Sequence, residues 1–175
     1  MEVCYLTPKA RPTPVALGPG SITTEPISAG ETIAAFGGRC ITRDERDLLS
    51  SSQQRRSIQI DDTLFLSDES APEPAGFVDH SCDPNCGMSG SVLLVARRDI
   101  AAGTRLTYDY AMSHGGDDLA FECVCGADQC RGLVTGNDWM LPELQLRYRG
   151  HFSPYLNRRI SNLVSLGAER RVFAL

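Results

Sequence analysis

The clearest pattern along the chain is the apolar run Val92-Leu93-Leu94-Val95, which predicts a buried strand over Ser91 to Arg98. A turn at Ala101-Ala102-Gly103 leads into a second predicted strand, Thr104 to Tyr110. Earlier, Val3 to Thr7, Ser21 to Thr24 and Thr32 to Phe36 also read as strands, and Pro26 to Gly30 must turn between the last two. Ser57 to Ile60 and Thr63 to Leu66 resemble a hairpin bent at Asp61-Asp62. Thr42-Arg43-Asp44-Glu45 fits a capping box, opening a short helix expected to run through Leu48 and Leu49. Ser67 to Ala75 and Ser113 to Asp118 read as loops.

The pattern changes after Trp139. Pro142 suits the first turn of a helix that Gly150 can stop, and Ser153-Pro154 looks like a second cap and first helical residue. Leu156, Ile160, Leu163 and Val164 then fall at helical spacing, so this helix is expected to pack on the body of the domain. Six Arg against two Glu give the tail a local charge of +4, and a basic docking surface is the minority reading.

Composition narrows the picture. At 175 residues and 42% hydrophobic, the chain can build one core with a short appendage. No apolar run approaches the roughly 20 residues that span a bilayer, and Met1 to Lys9 lacks the pattern of a secretory signal, so an intracellular setting is expected. A net charge of −5 argues against a generic nucleic-acid binder and suits a basic partner. The cations are 16 Arg and a single Lys, Lys9; base composition of the genome explains this, as does a lysine-modifying enzyme that spares itself.

Seven cysteines without a signal peptide point to metal rather than disulfides. Cys123, Cys125 and Cys130 lie within eight residues, with Gly126 to allow a tight turn. Zinc prefers four tetrahedral ligands, so a distant fourth thiol is needed. Cys86 and Cys82 are the candidates. Cys86 is preferred because it ends a Pro-Asn turn, whereas Cys82 sits in a more apolar segment. Such a site would be structural, tying residues 123 to 130 against 81 to 86; inert buried thiols are the bland alternative.

Four segments then carry a resemblance. Asp79-His80-Ser81-Cys82-Asp83-Pro84-Asn85-Cys86 resembles the Asn-His-Ser-Cys-x-Pro-Asn-Cys signature of SET-domain methyltransferases. Gly18-Pro19-Gly20 resembles the family's Gly-x-Gly, Leu106 to Tyr110 its tyrosine motif, and Phe121 to Gly132 its post-SET zinc motif. Alone, each has an ordinary explanation in turns or packing; four in the right order do not. The resemblance implies a mainly β fold of several small sheets with a knot-like threading towards the C-terminus, and short helices in the tail. It divides the chain into a SET domain (1–120), a post-SET zinc segment (121–135) and a helical basic tail (136–175).

The resemblance also implies roles. S-adenosylmethionine would lie against Gly18, Gly20, Asp79 and His80, with Leu133 beside its adenine. Tyr110 would stand at the transferring methyl, and Tyr108 would tune how many methyls are added. Structural Zn²⁺ would be held by Cys86, Cys123, Cys125 and Cys130. Two departures stand out: Asp79 replaces the usual Asn, and Phe36 stands where a Tyr is common. The expected activity is mono- or dimethylation of lysine in a basic protein. The alternatives are a catalytically weak SET domain that binds cofactor or peptide, and a zinc-held interaction module. The chain is similar to compact bacterial SET proteins, which suggests the cytoplasm, with a nuclear histone modifier as the alternative. No membrane and no direct nucleic-acid contact are expected. The methyl-transfer reading requires Tyr110 beside His80 and Cys86 beside the three clustered thiols.

Overall fold

The computed structural model describes residues 4–15, 18–67 and 74–172. Among these the chain is mainly β, in four small sheets. One orders Tyr5–Leu6, Thr32–Ala35, Leu93–Ala96 and Cys86–Ser89. A second orders Ala10–Val15, Gly18–Thr23, Arg105–Tyr108 and Asp79–His80. Arg39–Thr42, Leu64–Ser67 and Ile58–Gln59 form a third, and Ala120–Glu122 pairs with Leu133–Thr135.

The predicted strands are present but shorter. In Leu93–Ala96, Leu94 and Ala96 are buried while Leu93 and Val95 are only half-buried, the alternation of a strand with one face in the core. The hairpin closes with Ile58 opposite Leu66 and Gln59 opposite Phe65. Val3, at the start of the first expected strand, lies outside the described residues, as do 68–73 of the expected loop. The strand Ala10–Val15 was hidden by Pro12 and Pro14. It lies at the edge of its sheet, where a missing N–H costs no ladder bond.

Helix α1, Arg43–Asp47, opens with the expected capping box: the Thr42 hydroxyl accepts from Glu45 N–H and the Glu45 carboxylate accepts from Thr42 N–H at 2.8 Å. It stops short of the expected Leu48 and Leu49. Leu48 is 88% exposed, so no apolar contact prolongs the helix. A second helix, α2 (Ser51–Arg56), follows at once on its own capping box, Ser50 with Gln53. The sequence pattern makes no assignment for this segment.

The tail packs on the body of the domain, as its apolar spacing predicts. Helix α3 (Pro142–Arg147) starts on Pro142, and α4 spans Pro154–Val172. Trp139, Leu144, Tyr148, Phe152, Tyr155 and Leu156 belong to the same core as Ile33, Met88, Leu94 and Leu106. Each such side chain contributes about 1.5–3 kcal/mol by leaving water. Of the expected apolar stripe, Leu156 and Ile160 pack inward and Leu163 is 41% exposed. The side chain of Val164 lies outside the described residues.

Candidate functional site

Two segments distant in sequence meet at the end of the second sheet. Asp79–His80 runs parallel to Arg105–Tyr108, with Asp79 opposite Thr107 and His80 opposite Tyr108. Asn85 pins the junction: its amide donates to Arg105 C=O at 2.8 Å, and its carbonyl accepts from Thr107 N–H at 2.9 Å. Ser81 N–H adds a bond to Tyr108 C=O at 3.2 Å. His80 and Tyr110 therefore stand side by side, ring centroids 5.1 Å apart. His80 Nδ1 accepts from Tyr110 N–H at 3.4 Å, so its Nε2 carries the proton and faces Cys82 Sγ, also at 3.4 Å. Burial pulls the His80 pKa down, against the opposing pull of Asp109.

This strand end separates two cavities. One, of about 370 Å³, is lined by Asp79, His80, Arg105, Thr107 and Phe121 together with the cysteine loop. The other, of about 490 Å³, is lined by Phe36, Tyr108, Tyr110, Val78 and His114, with helix α2 on its far side. Asp79, His80 and Phe121 border both. The larger cavity has an aromatic wall: Tyr108 lies 5.0 Å from Tyr110 and 6.0 Å from Phe36 between ring centroids. Burial raises the pKa of both tyrosines well above the usual phenol range. His114, buried in the same wall, is pushed down to about 4 by burial and is neutral at physiological pH.

Of the predicted cofactor residues, Asp79 and His80 border the smaller cavity. Gly18–Thr23 pairs with Arg105–Tyr108, bringing Gly20 against the Arg105 side chain; a Cβ on Gly20 would lie 3.2 Å from Arg105 Nε. Gly18 sits two residues along the same strand, opposite Val15. Leu133 is 57% exposed opposite Glu122 and borders neither cavity. Asp79 Oδ1 accepts from its neighbour's N–H at 2.7 Å and from the Tyr110 hydroxyl at 3.5 Å, and Oδ2 accepts from Arg105. Arg105 carries no sequence flag, yet its buried Nε has no partner among the described residues. A cleft bordered by the Arg105 guanidinium fits a ligand that has an anionic end.

The thiols give one correction. Cys82, Cys123, Cys125 and Cys130 place their sulfurs within 4.8 Å of one another. Cys86 does not join them. It begins the strand Cys86–Ser89, faces the main core with no exposed surface, and its thiol, pushed up to about 12 by burial, donates to Asn85. The segment that looked more apolar in sequence thus holds the ligand, and the turn end holds the core residue.

The four-thiol set fits zinc. Zn–S bonds of about 2.3 Å in a tetrahedron put sulfurs about 3.8 Å apart, and Cys82 and Cys123 are 3.9 Å apart. Backbone N–H groups also aim at sulfur, from Arg131 to Cys82 at 3.4 Å and from Cys82 to Cys125 at 3.5 Å. Burial acts against the Cys125 thiolate, but N–H groups of Cys82 and Ala127 and the neighbouring thiols hold that pKa down at about 6. Gly126 takes φ +75°, the left-handed turn that bends the loop.

Beneath the metal cluster lies a polar anchor missed in sequence. Asp109 is fully buried and accepts two bonds from Arg131, at 2.6 and 2.8 Å, and one from the Tyr148 hydroxyl at 2.9 Å. The same Tyr148 hydroxyl reaches Cys82 C=O at 3.1 Å. Asp109 thereby joins the tyrosine strand, the cysteine loop and the C-terminal tail. Its only sequence signal is a carboxylate between two tyrosines at a strand end.

Comparison with known proteins agrees with this arrangement. The histone-lysine N-methyltransferase, H3 lysine-4 specific, of Eremothecium gossypii is 32% identical over 130 residues, covering 66% of this chain and 13% of the relative. Histone-lysine N-methyltransferase ash1 of Drosophila melanogaster is 32% identical over 136 residues, covering 68% of this chain and 6% of the relative. The chain thus spans a small part of the length of the relatives it matches. The crystal structure of KRYPTONITE in complex with mCHH DNA, H3(1-15) peptide and SAH has 26% identity and a TM-score of 0.56, over 73% of this chain and 30% of that one. The description of the SET domain matches residues 18–111, more than half of the sequence, and the chain belongs to the SET-domain family.

Proposed function

We propose that this chain is the catalytic unit of an S-adenosylmethionine-dependent protein-lysine N-methyltransferase. The observation that carries the reading is the pair of cavities meeting at Asp79-His80, one bordered by the Arg105 guanidinium, the other walled by tyrosine and phenylalanine. A cofactor in the first and a lysine in the second would approach each other across this wall, beside Tyr110. The relatives named as histone-lysine N-methyltransferases support it.

The bound cofactor supplies a methyl group activated on a sulfonium, which departs as a neutral thioether. What remains for the protein is to deliver a neutral amine. A free lysine at pH 7 pays roughly 4.6 kcal/mol to lose its proton. Phe36, Tyr108 and Tyr110 surround the amine with apolar ring surface, which disfavours the charged form. Because burial keeps both phenols protonated, their hydroxyls orient the amine and take no proton from it. Tyr110→Phe is expected to lower methyl transfer by roughly 10²-fold or more while leaving cofactor binding largely intact. Transfer from radiolabelled cofactor to histones and other basic proteins, read with calorimetric binding, checks this. If the wild-type chain labels no protein lysine, the catalytic reading fails and the weak, binding-only SET domain replaces it.

Product and substrate follow from the same cavity. Tyr108 is 5% exposed and lines the larger cavity beside Tyr110, where its hydroxyl would take space that a second or third methyl needs. The product is mono- or dimethyl-lysine, and Tyr108→Phe is expected to move the distribution upward. Mass spectrometry of the modified lysine reads this directly, and an unchanged distribution would rule it out. Overall charge favours a basic substrate protein, but the far side of the cavity itself holds Arg46, Arg55 and Arg56 with Asp118. Attraction of a basic substrate therefore comes from the wider surface.

A further inference from the structure

We propose that Arg105 grips the carboxylate at the amino-acid end of S-adenosylmethionine, with Asp79 as the tether that aims it; this rests on the function proposed above. Arg105 and Thr107 alternate along one strand and both border the smaller cavity, so the guanidinium stands on the cofactor side. It is held from two directions. One Nη donates to Asp79, and Gly20 lies against Nε, where a Cβ would make a tight 3.2 Å contact.

A guanidinium has five N–H donors in a planar fork, and carboxylates match that fork. Here one Nη is taken by Asp79 and Nε lies against Gly20, so the partly exposed remainder of the fork is what borders the smaller cavity. The Asp79–Arg105 pair presents a negative and a positive group side by side. An α-amino acid presents the complementary two, an ammonium and a carboxylate on one carbon. With Asp79 in the place of an Asn, the carboxylate at position 79 faces the ammonium and Arg105 faces the carboxylate.

The test uses the zinc-loaded full chain and two probes, S-adenosylmethionine and its decarboxylated form, titrated by calorimetry. The wild type is expected to prefer the carboxylate-bearing probe by roughly tenfold or more, the range of a charge-assisted hydrogen bond. In Arg105→Gln the two probes should bind within about twofold, and Arg105→Lys should keep part of the preference. Asp79→Asn, which keeps the arginine but loosens its aim, should reduce the preference and serves if Arg105→Gln does not fold. A preference that survives Arg105→Gln, or that ignores Asp79→Asn where only that variant folds, overturns the proposal. Binding of neither probe by the wild type is a different failure, that of the methyltransferase reading itself.

Discussion

Cys82→Ser is expected to strip the metal, leaving well under one zinc per chain, whereas Cys86→Ser keeps about one. The two residues lie four apart in the same motif, so the contrast is sharp. Cys82 Sγ sits 3.9 Å from Cys123 Sγ and completes the four-thiol cluster; Cys86 Sγ points into the core towards Asn85. Losing a direct ligand should weaken zinc by more than the roughly 10–100-fold that supporting residues cost. Because metal binding in such sites is folding free energy, the loop from 121 to 133 should become protease-sensitive in Cys82→Ser. Cys86→Ser places a hydroxyl in an apolar site and should cost about 1–3 kcal/mol of stability without releasing metal. Zinc content by atomic emission after dialysis decides the matter, and metal loss from Cys86→Ser with retention in Cys82→Ser would reverse the assignment.

Asp109→Ala should be the most destabilising single change at the site. It removes the acceptor for both Arg131 bonds and for Tyr148, and leaves the Arg131 side chain only 12% exposed with its charge less compensated. Breaking a buried pair from one side costs about 3–5 kcal/mol. For a chain of this size that corresponds to a fall in melting temperature of roughly 6–20 °C. Tyr148→Phe removes one donor and should cost only about 1 kcal/mol. Scanning calorimetry of the two variants measures the gap; a shift for Asp109→Ala no larger than that for Tyr148→Phe would show that the anchor is incidental.

What could be read from sequence and what could not divides along contact distance. The capping box at Thr42, the hairpin at Asp61-Asp62 and the knuckle of Cys123, Cys125 and Cys130 are local, and each forms where its residues predict. The choice between Cys82 and Cys86 depended on which residue faces the main core, and that is set by pairing of Cys86–Ser89 with Leu93–Ala96. Periodicity over so short a segment does not report it. Helix α2 spans only six residues with no apolar stripe, so periodicity does not report it, and the edge strand Ala10–Val15 was lost because of its prolines. His80 beside Tyr110 was expected from the family resemblance, and the parallel pairing supplies it. The requirement that Cys86 join the metal was too strict, since Cys82 makes the same tie from the same segment. Arg105 and the Asp109–Arg131–Tyr148 anchor depend on partners 22 to 39 residues away and carry no local pattern.

Tyr148 touches both Cys82 and Asp109. During synthesis the strand 79–80 emerges first, its partner 105–108 later, the thiol loop later still, and the tyrosine last. The tie between Cys82 and Asp109 therefore closes only after Tyr148 has emerged, so the two segments it joins must wait for a residue made later than either.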